Sequence, residues 1–296
     1  MNQEELEKRV RHIQIHSRKA VMEILAGEYR SGFKGTGVEF EDIREYQYGD
    51  DVRTMDWNVT ARTGVPHVKL FNEERELTLY FLIDISGSGD FGSGEHTKRD
   101  IAAQVFALLA FASSHNNDNV GLILFSDKVE HYIKPGKGKN HIMNMVSTIL
   151  SFRAESKKTS IQDALDFMLR VRKKRCVMFL FSDFIDNGYH ESLREAGRLH
   201  DLICVNISDV RERKLESAGI IEFVDAETEK VVTIDFKNRK TIEMFAEKAL
   251  ERTKALQEFC YEINADLLNL STDDDYLHKI IAFFRARRDR SADART

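Results

Sequence analysis

The sequence predicts a doubly wound α/β fold: a mostly parallel sheet with one antiparallel edge strand, an N-terminal helix and irregular arm ahead of it, and a β-hairpin insertion. Three observations carry that reading. The runs LTLYFLI from Leu77, VGLILF from Val120, CVMFLF from Cys176 and LICVNI from Leu202 are apolar at nearly every position, as strands buried on both faces are. Longer amphipathic stretches separate most of them, which calls for a parallel sheet covered by helices on both sides. FSDKVEHYI, with turn residues Ser126 and Asp127 between apolar runs, folds the Val120 strand back into an antiparallel edge.

Taken in order, the first 26 residues place Leu6, Val10, Ile13, Val21, Ile24 and Leu25 at helical spacing, so a helix is expected to end near Gly27. GEYRSGFKGTGVEFEDIREYQYGDD follows without a sustained period. Its Phe33, Phe40, Ile43, Tyr46 and Tyr48 are too many large apolar groups for a free linker, and an ordered but irregular arm packed on the core is expected. Helices are predicted near His96 to His115, Lys139 to Leu150, Ser160 to Arg172, Gly188 to His200 and Arg239 to Tyr261, with a last strand at DLLNL from Asp266. IIEFVDAETEKVVTIDF from Ile220 reads as the hairpin insertion. The division is therefore 1–75 for helix and arm and 76–290 for the sheet domain, and Gly27 to Arg75 is not expected to fold alone.

Composition narrows the function classes. A chain of 296 residues, 42% hydrophobic and 31% charged, can bury a sizeable core. A net charge of -5 argues against a nucleic-acid protein, because phosphate binding calls for a basic excess. RARRDR from Arg285 is the one basic cluster, and it reads as a solvated last helical turn. Cys176, Cys204 and Cys260 lie far apart in apolar stretches, as buried free thiols in a reducing compartment. The first 25 residues are charged throughout and lack the apolar core of a signal peptide. No stretch approaches the roughly 18 apolar residues of a membrane span, and a cytoplasmic protein is expected.

The chemistry lies at the strand ends. Open α/β sheets bind ligands outside the carboxyl ends of their strands, where the strand order reverses. DISGS puts Asp84, Ser86 and Ser88 there, on one side of a tight turn: one carboxylate and two hydroxyls, a hard-oxygen set suited to Mg²⁺ or Mn²⁺. The same three residues would serve equally as turn and helix-cap groups. Lys158-Thr159-Ser160 before a helix and FLFSDFID, with Ser182 and Asp183 after a buried strand, add two more places that could converge on one point. GKGKNH is not a phosphate loop, GTGVEF lacks the third glycine of a dinucleotide fingerprint, and ISGSG is not a hydrolase elbow. His12 and His16 share a helix face with no acid at position 13 and no third ligand.

DISGS, with the Thr of KKTSIQDAL and the Asp of FSDF, resembles the metal-ion-dependent adhesion site (MIDAS) of von Willebrand factor A domains. EFEDIREYQYGDDVRTMDWNVTARTG followed by VKLFNEERE resembles the hallmark of the DUF58 family, von Willebrand A-like proteins associated with MoxR-type AAA+ ATPases. The resemblance implies that Asp84, Ser86, Ser88, Thr159 and Asp183 form the metal site, with the serine hydroxyls binding the cation directly and a partner's carboxylate completing the shell. Gly89 departs from it, since relatives carry a bulky apolar residue there. The implied function is a non-enzymatic, metal-dependent interaction module that works with a MoxR-type ATPase in maturing client proteins. The rival is a Mg²⁺-dependent phosphohydrolase with Asp84 as nucleophile. Against it, enzymes of that kind carry a second Asp where this chain has Ser86, and no general acid is left for the leaving group. Arg44, Tyr46, Asp50, Asp51, Arg53, Trp57 and Arg62 are dense in both charge signs and in rings. They read either as an arm held by ion pairs and buried rings or as a docking surface for the ATPase, with Glu73 and Glu74 open to either role.

Overall fold

Thr78–Asp84 is the strand around which the rest is arranged, because all but its first residue is buried. A computed structural model describes residues 3–20, 39–72, 76–213, 220–224, 231–235 and 239–293. In chain order these form α1 (Gln3–Ala20), β1 (Glu39–Glu45), α2 (Trp57–Thr63), β2 (His67–Asn72), β3 (Thr78–Asp84), α3 (Lys98–His115), β4 (Asn119–Phe125), β5 (Val129–Gly136), α4 (Lys139–Ser151) and α5 (Ile161–Val171). They continue with β6 (Val177–Ser182), α6 (His190–Leu199), β7 (Asp201–Ser208), β8 (Ile220–Val224), β9 (Val231–Asp235), α7 (Arg239–Glu262), β10 (Asp266–Ser271) and α8 (Tyr276–Asp293).

A six-stranded sheet in the order β10-β7-β6-β3-β4-β5 forms the centre. It is parallel except for β5, which runs antiparallel to β4 at the edge. The predicted α/β class with one reversed edge strand is what the chain adopts. The chain builds outward from β3 to β5, then returns to the other side of β3 as β6, so the order reverses between β3 and β6. Their register places Ile83 against Phe181, and Asp84 falls level with Ser182. The Phe81 ring stacks on Phe179 with centroids 4.9 Å apart and meets Phe106 edge-on at 4.8 Å, fixing α3 to the sheet. α1 and α4 pack beside α3, whereas α5 and α6 cover the other face. Thr97 caps α3 in a reciprocal capping box with Asp100, which sets where that helix begins.

The chain divides into two compact units, Met1–Phe33 with Thr78–Thr296, and Lys34–Leu77. The N-terminal helix therefore belongs with the sheet. In the small unit β1 and β2 form an antiparallel ribbon, and Asp56 caps α2 by accepting from Asn58 and Val59 backbone N–H groups. Gly64 ends that helix at φ 75°, a left-handed turn that favours glycine. Within the stretch expected to be irregular, Glu39–Glu45 is thus a regular strand. A register shift between Phe40 and Asp42 breaks the two-residue alternation along β1, so the strand escapes periodicity. β8 and β9 pair as the predicted hairpin. The expected helix end near Gly27, Phe33, Glu73 and Glu74 lie outside the described residues.

Two further expectations are corrected by packing. Arg287 of RARRDR is not solvated: its side chain is 1% exposed and pairs with Asp201 and with Asp266. Trp57 is not a buried clamp, since it is 69% exposed, and Tyr48 is fully exposed. All three cysteines are free and buried, as expected. No helix among the described residues is long and apolar enough to cross a membrane.

Candidate metal centre

Asp84 ends β3, and its carboxylate is held from two sides. Oδ1 accepts from the Ser86 N–H at 2.9 Å, and Oδ2 accepts from the Ser182 hydroxyl at 2.8 Å. The following residues turn in a short 3₁₀ segment, Gly87–Asp90, which brings Ser86 Oγ within 3.2 Å of Ser88 Oγ. Asp183 follows β6 directly, and Phe184 after it takes a left-handed backbone conformation at φ 55°. That conformation is uncommon for a residue with a side chain and characteristic of functional turns.

Asp84, Ser88, Asp183 and Ser182 line one small cavity of about 20 Å³, together with Gly89 and Lys98. It lies at the strand-order reversal predicted for a ligand site. Burial, with Asp183 nearby, pushes the Asp84 carboxyl up to about 7. Two carboxylates that repel each other beside two neutral hydroxyls suit a small hard cation, and the donor set fits Mg²⁺ or Mn²⁺. Asp84, Ser86, Ser88 and Asp183 are the side chains that would hold one. A bound cation would supply positive charge for an incoming carboxylate.

Of the five residues, Asp84, Ser88 and Asp183 line the cavity, and Ser86 lies beside it, bonded to Asp84 through its N–H and 3.2 Å from Ser88 through its hydroxyl. Thr159 is not among the cavity's lining; it sits on the loop before α5. That loop is tied to the serine turn because the Gly87 N–H donates to Lys157 O at 2.9 Å. At Gly89 a side chain would meet the Asp84 carbonyl at an ordinary 3.6 Å, so the glycine leaves space in the cavity rather than relieving a clash.

Lys98 and Ser182 act at the site in ways the sequence reading did not assign. The Ser182 hydroxyl orients Asp84, and the Phe184 N–H donates to it at 3.2 Å. Lys98 Nζ reaches Asp183 Oδ2 at 3.0 Å and Glu212 Oε1 at 2.5 Å. Burial disfavours its charge, yet the two carboxylates outweigh burial and hold its ammonium above the ordinary lysine range. A lysine in the first turn of a helix, where cations are unfavourable, was the available signal. A larger cleft of about 240 Å³ shares Asp183 as a wall and is lined by Phe184, Ile185, Tyr189, Arg252 and Phe259.

In the small unit the predicted charges pair locally. Arg44 grips Asp50 with two bonds of 2.8 Å, and Arg53 Nη2 donates to Asp51 Oδ2 at 2.8 Å. Exposed Tyr48, Val52, Trp57 and Val65 accompany them.

Among known proteins, the uncharacterized proteins Rv1480 of Mycobacterium tuberculosis and Mb1516 of Mycobacterium bovis are each 30% identical to this chain over 270 residues. Those residues are 90% of this chain and 84% of the relative. Among solved structures, the conserved hypothetical protein BatB from Bacteroides thetaiotaomicron is 11% identical, with 72% of this chain and 99% of that chain covered at a TM-score of 0.45. A mutant of the PilB minor pilin from Streptococcus sanguinis is 14% identical, with 77% and 64% covered at a TM-score of 0.39. Residues 42–255 match the family described as "Protein of unknown function DUF58", and the chain belongs to that family.

Proposed function

We propose that this protein is a non-enzymatic, von Willebrand A-like interaction module whose strand-end site takes Mg²⁺ or Mn²⁺ and, through it, an acidic side chain of a partner. The partner is a MoxR-type AAA+ ATPase or the client that the pair matures. The observation that carries the reading is the convergence of Asp84, Ser88 and Asp183 on one cavity at the reversal of strand order, with the Ser86 hydroxyl 3.2 Å from that of Ser88. A cation bound directly by the serine hydroxyls, with the aspartates reached through water, keeps enough net charge to attract a further acid. The apolar and aromatic cleft that shares Asp183 gives the flanking residues of such a partner a place to pack. The phosphohydrolase alternative is disfavoured because the Asp84 side chain is buried and its two oxygens accept from the Ser86 N–H and from the Ser182 hydroxyl on β6. Exposed Trp57 and the paired charges around Arg44, Tyr46, Arg53 and Arg62 are a second contact surface, since Trp and Arg are frequent interface anchors.

The test is the affinity for the cognate MoxR-type ATPase in Mg²⁺, in EDTA, and with Ser86→Ala combined with Ser88→Ala. A loss of at least about tenfold in EDTA and in the double variant is expected, the size of one lost charge-assisted contact. Equal affinity in all three would remove the cation from the reading and place the contact on Arg44 to Arg62.

A further inference from the structure

We infer that Lys98 is a tethered cation that competes with a divalent ion for the strand-end site, and that Glu212 is the second station for its ammonium. The inference rests on the proposed cation site and goes beyond it, since it assigns a regulator of that site from within the chain.

Lys98 is the first residue of α3, where the helix N-terminus disfavours positive charge, and its side chain is only 5% exposed. A buried lysine so placed needs compensating acids, and it has them in Asp183 and Glu212. Asp183, with a side chain 7% exposed, is also one of the carboxylates that face the small cavity, and Lys98 lines that same cavity. The ammonium therefore sits where a divalent ion would draw its negative charge, and like charges so close in a buried site repel strongly.

Glu212 differs from Asp183 in its surroundings. Its side chain is 31% exposed, and Oε2 accepts from the Asp209 N–H at 3.0 Å. Asp209 is in turn fixed by the Ser93 backbone N–H and hydroxyl and by the Thr272 hydroxyl, at 2.9, 2.6 and 2.7 Å. Glu212 is thus presented on a braced turn, nearer to solvent than Asp183. The capping box anchors the backbone of Lys98, while its four-carbon stem leaves the ammonium free to favour either acid.

The competition predicts opposite effects from the two partners. Mn²⁺ affinity, measured by electron paramagnetic resonance titration of the full chain with Mg²⁺ as competitor, should tighten at least about tenfold in Lys98→Met. It should weaken in Glu212→Gln, where Asp183 alone must hold the ammonium. The double variant should bind as tightly as Lys98→Met, because Glu212 acts only through Lys98; a plain loss of negative charge would instead weaken it by the same factor in both backgrounds. Unchanged or weaker binding in Lys98→Met overturns the inference while leaving the cation site intact. Should that variant fail to fold, unchanged or tighter binding in Glu212→Gln overturns it equally. No binding by wild type or any variant rejects the cation site itself.

Discussion

The two ends of the central sheet both bury ion pairs, and they do so differently. At the amino end, Asp201 begins β7 and Asp266 begins β10. Arg287 from α8 reaches both, while Arg290 takes the other oxygen of Asp266 at 2.7 Å. At the carboxyl end, Lys98 reaches Asp183 and Glu212 beside Asp84. A guanidinium is planar, fixed in its geometry and matched to carboxylates, whereas an ammonium is a point charge on a flexible stem. The second end also has room for a small ion beside two hydroxyls. The contrast separates a lock from the proposed exchangeable site.

The largest effect should come from breaking the lock. Arg287→Met leaves Asp201 without its buried partner, and a loss of about 3–5 kcal/mol is expected. Urea unfolding in Mg²⁺ and in EDTA should show the same loss, because this end takes no part in cation binding. A loss that Mg²⁺ reverses would couple the two ends and erase the distinction.

The exchangeable end should respond to pH with a defined sign. The folded value of Asp84, about 7, lies above the ordinary carboxylate value of 3.8. Between those values the folded chain keeps a proton that the unfolded chain has lost, so stability falls as pH rises through that window and the penalty is complete above it. In EDTA at pH 8, Asp84→Asn should therefore stabilise the chain by on the order of 2 kcal/mol, a fraction of the full linkage because the amide also disturbs two hydrogen bonds. The pH slope of the difference should vanish below pH 4. The amino end carries the opposite sign: burial, with Arg172 and Arg175 nearby, lowers His200 to about 4, so its contribution is lost as pH falls from about 6.5. Replacing Asp84 and His200 separately by Asn, and following urea unfolding against pH, would distinguish the ends. A destabilised Asp84→Asn at pH 8 in chelator would contradict the strained carboxylate.

The smallest effect is expected far from either end. Trp57→Ala should change stability by no more than about 0.5 kcal/mol, because the ring is 69% exposed. A loss of several kcal/mol in thermal unfolding would show that the ring is covered in solution.

The α/β class, the reversed edge strand, the hairpin and the helices between the sheet's strands, to within a few residues, were legible in the sequence, because these depend on periodicity and turn residues that are local in the chain; the short helix Trp57–Thr63 was not. Asp84, Ser86 and Ser88 were legible for the same reason: three oxygen donors within five residues, directly after a buried strand. The position of Asp183 at another strand end made its convergence with them possible and the resemblance implied it, but only the pairing of β3 with β6 sets Asp84 level with Ser182. Lys98, Glu212 and Arg287 were decided by tertiary structure alone. Each is a charged residue that reads as solvated from its neighbours in sequence. Whether such a side chain is buried depends on acids 85, 114 and 86 positions away, between Lys98 and Asp183, Lys98 and Glu212, and Arg287 and Asp201. The burial of a charge costs too much to occur unless a distant partner offsets it, and no local pattern records that partner.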